Sequence, residues 1–251
     1  MRILLTGVSG RTAEPIVQTL STAGHQLVGF DQLPPSPITE ALLQRFVRGD
    51  IGHSDEIISA AAGCEAILHA AVAVGDNDYT QPEIPFATNV KGAYNIFETA
   101  RRSNIGRVLL TSSAPVHLTH TNPVLDAQRP LPVSTGDDHL YDLTKRLQEE
   151  IGRSYSETFG LTTVILRLGH IVDGAQQTTL DGTPLAQLNY CRGGWVDRTD
   201  VAYACLQALT APVKGYHALH IIGAYQADAL YNIGRTEEIL NMRFQYRFKN
   251  Y

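Results

Sequence analysis

Tyr141 and Lys145 stand four residues apart in Tyr-Asp-Leu-Thr-Lys, a spacing that puts a phenol and an ammonium on one face of a helix. The cation favours the phenolate, so the phenol's pKa moves toward the range where it can give and take a proton near neutral pH. The same spacing also arises wherever an aromatic core residue neighbours a surface lysine, so the rest of the chain must decide its meaning. Thr111-Ser112-Ser113 closes an apolar, strand-like run. Ser113 there could donate a hydrogen bond to a reacting carbonyl or alkoxide; a serine at a strand end otherwise serves as a cap or turn former.

A second cluster, Thr6-Gly7-Val8-Ser9-Gly10-Arg11-Thr12-Ala13, lies between the first apolar run and the first helix-like stretch. Glycines there let the backbone turn sharply and approach a pyrophosphate, whose charge the N–H groups at a helix start attract. Gly7, Ser9, Gly10, Arg11 and Thr12 are the candidate contacts. About 20 residues further on, Asp31 ends the second strand-like run, where a carboxylate can accept hydrogen bonds from the adenosine ribose. A turn aspartate beside Pro34 and Pro35 is the alternative. No Lys or Arg follows from Gln32 to Gln44 to hold a 2′-phosphate, which favours NAD over NADP, while Arg11 keeps NADP open. Asp50 and Ile51 could bracket the adenine, and Ala70, Ala71 and Val72 offer small side chains beside a phosphate or ribose. Taken singly, these last two groups fit plain packing better than a cofactor role.

Such residues need a scaffold that brings them together. Strand-like runs at 3–6, 26–30, 46–49, 66–71, 107–112 and 162–168 alternate with helix-like stretches near 12–23, 53–62, 86–103 and 138–159. That rhythm predicts an α/β fold, a doubly wound parallel sheet of Rossmann type with helices on both faces. Residues 34–37 read as a stiff connection and 119–137 as a long loop. After Asp173 the alternation breaks, leaving helical signal at 200–210 and 235–240 and one strand at 217–222. The expected division is a dinucleotide-binding core over 1–172 and a small C-terminal substrate lobe over 173–251, with return elements to the core.

Composition narrows the partners. Twenty Lys+Arg against 25 Asp+Glu give a net charge of −5, which argues against a basic nucleic-acid surface. Hydrophobic residues at 43% and charged residues at 18% are far from a disordered composition. No apolar run approaches the roughly 18 to 20 residues that cross a bilayer, and glycine interrupts the opening residues too early for a secretory signal. Cys64, Cys191 and Cys205 suit neither a disulfide framework nor a zinc site, so a reducing, cytoplasmic setting is expected. The nine histidines show no paired spacing that would argue for a metal.

In their order and spacing these pieces resemble the short-chain dehydrogenase/reductase superfamily, in its extended, epimerase/dehydratase-like branch. The likeness runs through most of residues 1–174. It rests on Thr6-Gly7-x-x-Gly10, Asp31, Gly49-Asp50-Ile51, Ile67-Leu68-His69-Ala70-Ala71, Asn89-Val90-x-Gly92, Thr111-Ser112-Ser113-Ala114, Tyr141-x-x-x-Lys145 and Leu166-Arg167. The resemblance implies an NAD(P)-dependent enzyme in which Tyr141 is the general acid/base and Ser113 holds and polarises the substrate oxygen. Lys145 would bind the nicotinamide ribose and tune Tyr141, and Asn89 would order the helix or a proton-relay water. Leu168 to His170 would lie beside the nicotinamide. Helices near 86–103 and 141–159 would pair with their copies in a homodimer.

Size and C-terminal ending look most like the uronate (sugar-acid) dehydrogenases, which oxidise an anomeric carbon to a lactone with NAD. Those enzymes place polar Asn and His after the serine, where this chain has Ala114 and Pro115. For the arginine that clamps a sugar carboxylate, Arg192 or Arg198 could serve. An apolar wall of Ala114, Pro115 and Val116 suggests a less hydroxylated ketone, imine or ring alcohol. Trp195 either lines the substrate pocket or anchors a core; His117 and His170 could approach the substrate. The leading expectation is an NAD-dependent oxidoreductase acting on a C–OH/C=O centre of a small, cyclic substrate, a sugar acid or related molecule. The alternatives are a nucleotide-sugar epimerase or reductase of the same family, a natural-product ketone or imine reductase, and a non-catalytic dinucleotide sensor. The complete Ser113/Tyr141/Lys145 set argues against the sensor.

Overall fold

In a computed structural model of the chain, the described residues are 1–73, 81–114, 139–188, 194–225 and 227–248. The first half runs β1 (Arg2–Thr6), α1 (Ala13–Thr22), β2 (Gln26–Asp31), α2 (Pro37–Ala41), β3 (Arg45–Arg48), α3 (Ser54–Ala60), β4 (Ala66–His69), α4 (Glu83–Pro85) and α5 (Gly92–Arg102). A π-helical stretch, Phe86–Lys91, joins α4 to α5. There follow β5 (Arg107–Ser113), α6 (His139–Phe159), β6 (Thr162–Leu168), β7 (His170–Asp173), β8 (Thr178–Thr179), β9 (Trp195–Asp197), α7 (Arg198–Thr210), β10 (Tyr216–Ile221), α8 (Ala227–Tyr231) and α9 (Ile233–Leu240).

The large sheet has the order β3-β2-β1-β4-β5-β6-β10, and every pairing in it is parallel. Strands buried on both faces must be apolar on both, and successive side chains point to opposite sides. Ile3 and Leu5 accordingly join one core with Ile16, Val17 and Leu20 of α1 and Val201 and Cys205 of α7. Leu4 joins the other, with Ile57 of α3, Ile96 and Phe97 of α5 and Tyr155 of α6. The fold is therefore the doubly wound parallel sheet expected from the alternation.

Two features carry more than the sequence rhythm suggests. The proline-rich connection after β2 contains α2, because Ser36 Oγ accepts from the Thr39 N–H at 3.2 Å and Pro37 fills the first helical position. Beyond Asp173, α7 packs on α1 and β10 becomes the seventh strand of the large sheet beside β6. A parallel strand needs a long crossover, and α7 supplies it. Outside those two elements, β8-β7-β9 form a small separate sheet over a core of Val172, Leu185, Leu188, Trp195 and Phe248. No helix among the described residues is long and apolar enough to cross a membrane.

A close backbone approach lies at the start of the sheet's ligand edge. Gly7 has φ +77°, and a Cβ built there would fall 2.6 Å from Ala71 N. At Gly10 the nearest atom would be Gly7 O at 3.1 Å. Gly7→Ala combines a left-handed conformation with a backbone clash and should cost about 2 kcal/mol or more. Gly10→Ala should cost clearly less. Urea midpoints of the two variants, compared at equal m-value, check the order; equal losses would contradict it.

Candidate active site

The loop after β1 is closed by backbone bonds of 3.0 Å, from Gly10 N to Gly7 O and from Ala13 N to Gly10 O. It delivers the chain into α1, whose N-cap Thr12 makes no side-chain cap bond. The α1 N-terminus thus brings N–H groups without a side-chain cap to the mouth of a cleft, with Glu14 the one acidic residue in its first turn. Asp31 is oriented by the same loop: one carboxylate oxygen accepts from Ser9 N at 3.0 Å and the other from Leu33 N at 3.2 Å. Ser9 Oγ donates to Leu33 O at 2.6 Å and locks the arrangement. Ala70 and Ala71 follow β4 on the opposite side of the turn, where Ala70 N donates to Thr6 O at 3.2 Å.

The cleft measures about 1400 Å³ and runs along the carboxyl ends of the strands. Its lining includes Gly7, Ser9, Gly10, Arg11, Thr12, Asp31, Ile51, Ala70, Ala71 and Val72, and also Ser113, Tyr141, Lys145, Leu168 and His170. That volume exceeds the ~300–1,000 Å³ of an ordinary small-molecule pocket. The glycine turn and the candidate proton-transfer residues therefore share one continuous space.

Lys145 follows Tyr141 by one helical turn of α6, and its Nζ lies 5.7 Å from the centroid of the Tyr141 ring. Lys145 is buried, and its ammonium donates to Thr111 O at 3.1 Å. Burial pulls its pKa down to about 8, while the charge of Glu149 acts in the opposite direction. Ser113, half-buried at the end of β5, donates only a long 3.4 Å bond to Ala114 O. His69 stands behind this group on β4, its Nδ1 2.8 Å from Thr6 Oγ1. Burial, and then the Lys145 charge, lower the His69 pKa to about 3, so that ring is neutral at physiological pH.

Some expected site residues lie elsewhere. Asn89 is fully buried below the cleft: its Oδ1 accepts from Ala73 N at 2.8 Å and its Nδ2 donates to Thr144 Oγ1 at 3.0 Å. It ties the π-helical stretch to α6 and to the segment after β4. Asp50 is not among the residues that line the cleft; its carboxylate accepts from Gly52 N at 2.7 Å in the turn that leads to α3. Gly49 and Ile51 line the cleft in its place. Ala114 packs into the core, its N–H bonded to Leu168 O at 2.8 Å. Trp195 is fully buried and meets Phe248 edge-on at 6.0 Å, which makes it the anchor of the small lobe and not a cleft wall. Arg192 falls outside the described residues, as do Pro115, Val116, His117 and Cys191. Arg198 pairs with Asp173 at 2.8 Å.

Residues with no sequence signal of their own also line the cleft, among them Ile84, Thr88, Asp142, Ile171 and Leu180. Asp142 could have been found, since it adjoins Tyr141. Leu180 arrives from the turn after β8, a two-residue strand with no periodic signal. Among the described residues, no three His, Cys, Asp or Glu side chains stand together as metal ligands would.

The sequence profile of the NAD dependent epimerase/dehydratase family matches residues 3–186. A 3-beta-hydroxysteroid dehydrogenase of Mycolicibacterium neoaurum is 28% identical over 184 residues, 70% of this chain and 49% of the relative. The chain thus spans about half the length of that relative. Uronate dehydrogenase of Pseudomonas syringae pv. tomato is 26% identical over 223 residues, 87% of this chain and 73% of the relative. Among solved structures, a short-chain dehydrogenase/reductase superfamily protein of Agrobacterium tumefaciens with bound NAD superposes with a TM-score of 0.77 at 21% identity, covering 98% of this chain and 93% of that one. With the family profile spanning most of a sheet of this topology, the chain belongs to the NAD dependent epimerase/dehydratase family, the extended branch of the short-chain dehydrogenases/reductases.

Proposed function

We propose that the chain is an NAD-dependent oxidoreductase moving a hydride to or from a C–OH/C=O centre of a small, cyclic substrate, with Ser113, Tyr141 and Lys145 as its proton-handling set. The observation that carries this reading is that these three side chains line the same cleft as the glycine turn and Asp31. The residues present fit a dinucleotide: the cradle at Gly7 has no room for a Cβ, the start of α1 faces the cleft, and the Asp31 carboxylate is held ready by backbone donors. Asp31 would accept from the adenosine ribose and repel a 2′-phosphate, which favours NAD; Arg11, in the same lining, leaves NADP as the second choice.

Bound NAD would supply the hydride acceptor or donor. Ser113 Oγ holds the substrate oxygen, and the Tyr141 hydroxyl passes a proton to or from that oxygen. Lys145 holds the nicotinamide ribose and, as a cation, stabilises the phenolate. Leu168 and His170 flank the reacting end. Val72, Ile84, Ile171 and Leu180 give that end apolar walls, and Arg198 is engaged with Asp173, so a sparsely hydroxylated ring is favoured over a sugar acid. Likeness to uronate dehydrogenase keeps anomeric oxidation as the second reading. An epimerase would use the same set and return the hydride.

Tyr94 of α5 and Phe159 of α6 are exposed and both contact the Tyr155 ring, with centroids 6.2 and 5.3 Å away. We propose that this aromatic face seats a second copy in a homodimer. The buried thiols of Cys64 and Cys205 are free, in keeping with a cytoplasmic setting.

A panel of ring alcohols, ketones and sugar acids, followed by the absorbance of reduced nicotinamide, should contain a substrate. Tyr141→Phe should then lower kcat by about 100-fold or more while leaving NAD binding intact; an unaltered kcat removes Tyr141 from the reaction. Asp31→Ala should weaken NAD by roughly 10- to 100-fold, as loss of charged hydrogen bonds does, and NADP far less. Isothermal titration of both dinucleotides decides this, and equal losses would take Asp31 off the ribose. In the reductive direction both the phenol and the ammonium must carry protons. With the Lys145 pKa at about 8, kcat/KM for a ketone should fall as pH rises through that value, and a flat profile to pH 10 would contradict the assignment.

A further inference from the structure

We propose that Glu149 is a positioning residue for Ser113, Tyr141 and Lys145: its buried carboxylate ties the end of β5 to α6 and β6 and supplies the negative charge that faces the Lys145 ammonium. The inference rests on the function proposed above for those three residues.

Glu149 follows Lys145 by one helical turn, so the two share a face of α6, and it is 4% exposed. Ser112 Oγ donates to its Oε1 at 2.6 Å. Arg167 donates to it through Nε at 3.0 and 3.2 Å and through a terminal nitrogen at 2.6 Å. Ser112 and Arg167 are register partners across β5 and β6, so one carboxylate grips both strands at the same level. On β5, Ser112 stands between Thr111, whose carbonyl takes the Lys145 ammonium at 3.1 Å, and Ser113. Consecutive turns of α6 thus hold consecutive residues of β5. The distance between the serine hydroxyl and the phenol is set by this clamp.

The charge has a second consequence. Among the described residues, the titratable groups shown to act on Lys145 or contact it are Tyr141 and Glu149 on α6 and His69 on β4, with Arg167 of β6 paired to Glu149 and Tyr216 of β10 behind that pair. His69 is neutral, Arg167 is a cation, and Glu149 is the carboxylate among them. Burial drives the Lys145 pKa down, and Glu149 pushes it up. A buried Arg–Glu pair on its own adds little stability over an apolar pair of equal volume. Its value here is to keep a second cation charged where water is excluded.

The test needs neither substrate nor cofactor. The lysines are Lys91, Lys145, Lys214 and Lys249, so NMR of the full chain with ε-carbon-labelled lysine resolves the Lys145 titration, assigned by Lys145→Arg. Glu149→Gln should lower the Lys145 midpoint by about one pH unit or more, and Glu149→Asp should restore part of the shift. If the single variant does not fold, Glu149→Gln with Arg167→Gln removes both buried charges, and the midpoint should fall there too. A folded variant with an unchanged midpoint overturns the inference. Because the readout is the lysine itself, failure of the oxidoreductase reading would show separately, as absence of turnover in the parent chain.

Discussion

A lysine ammonium kept 3% exposed at the end of a parallel sheet is the constraint around which the site is built. An isolated buried cation gives up its proton, because the low-dielectric interior disfavours the charged form. Lys145 instead meets the Thr111 carbonyl, the face of the Tyr141 ring and the field of Glu149. The neighbouring His69 takes the opposite course and stays neutral, its Nδ1 satisfied by Thr6. One cation and one neutral ring occupy a space that two cations could not share. Tyr141 and Glu149 come from α6 itself and Thr111 from β5, so docking α6 on β5 is what lets a buried ammonium keep its proton.

The sheet order accounts for where that docking occurs. From β1 the chain winds outward through β2 and β3, then returns to β4 and winds the other way through β5, β6 and β10. At the reversal the loops leave on opposite faces and open a crevice at the carboxyl ends of the strands. Gly7 on one side and Ala70 and Ala71 on the other approach closely enough that only glycine fits. The π-helical stretch adds local control: π-turns occur often at functional sites, and this one turns Asn89 toward both Ala73 and Thr144. Asn89 thereby connects the crevice rim to the helix that bears Tyr141 and Lys145.

Much of this was legible in the sequence, because parallel strands buried on both faces leave continuous apolar runs and helices leave amphipathic ones. The six strands from Arg2–Thr6 to Thr162–Leu168 and the helices α1, α3, α5 and α6 fall close to the expected places. The glycine turn, Asp31, Ser113, Tyr141 and Lys145 could be named because each has a chemical reason to stand at a strand end or on one helix face. The errors have equally local causes. Asp50 follows β3 much as Asp31 ends β2, and both accept from the N–H two residues on; the bond from Ser9 N, which ties Asp31 to the glycine turn, distinguishes them. Trp195 and Ala114 are apolar residues near functional ones, and composition alone does not tell a pocket wall from a core. β7, β8 and β9 are two to four residues long, too short for any periodicity to show. Glu149 carries no pattern of its own in the sequence until tertiary packing pairs it with Arg167.

The small sheet is the part of the molecule least visible in the sequence. The edge-on contact of Trp195 with Phe248 fixes the small sheet, and two hydrogen bonds from Gln245 N and Tyr246 N to Asp200 fasten the C-terminal stretch to α7. On that base sit His170 and Ile171 of β7 and Leu180 after β8, which reach the same cleft as the sheet residues. Their side chains contribute to neither of the two large cores beyond the contact Ile171 makes. Changes at Ile171 or Leu180 would therefore reshape the substrate end without loosening the clamp on Lys145 or the glycine turn. Around Lys145 the cleft is held by buried polar contacts, whereas at Ile171 and Leu180 it is walled by apolar side chains that those contacts do not involve.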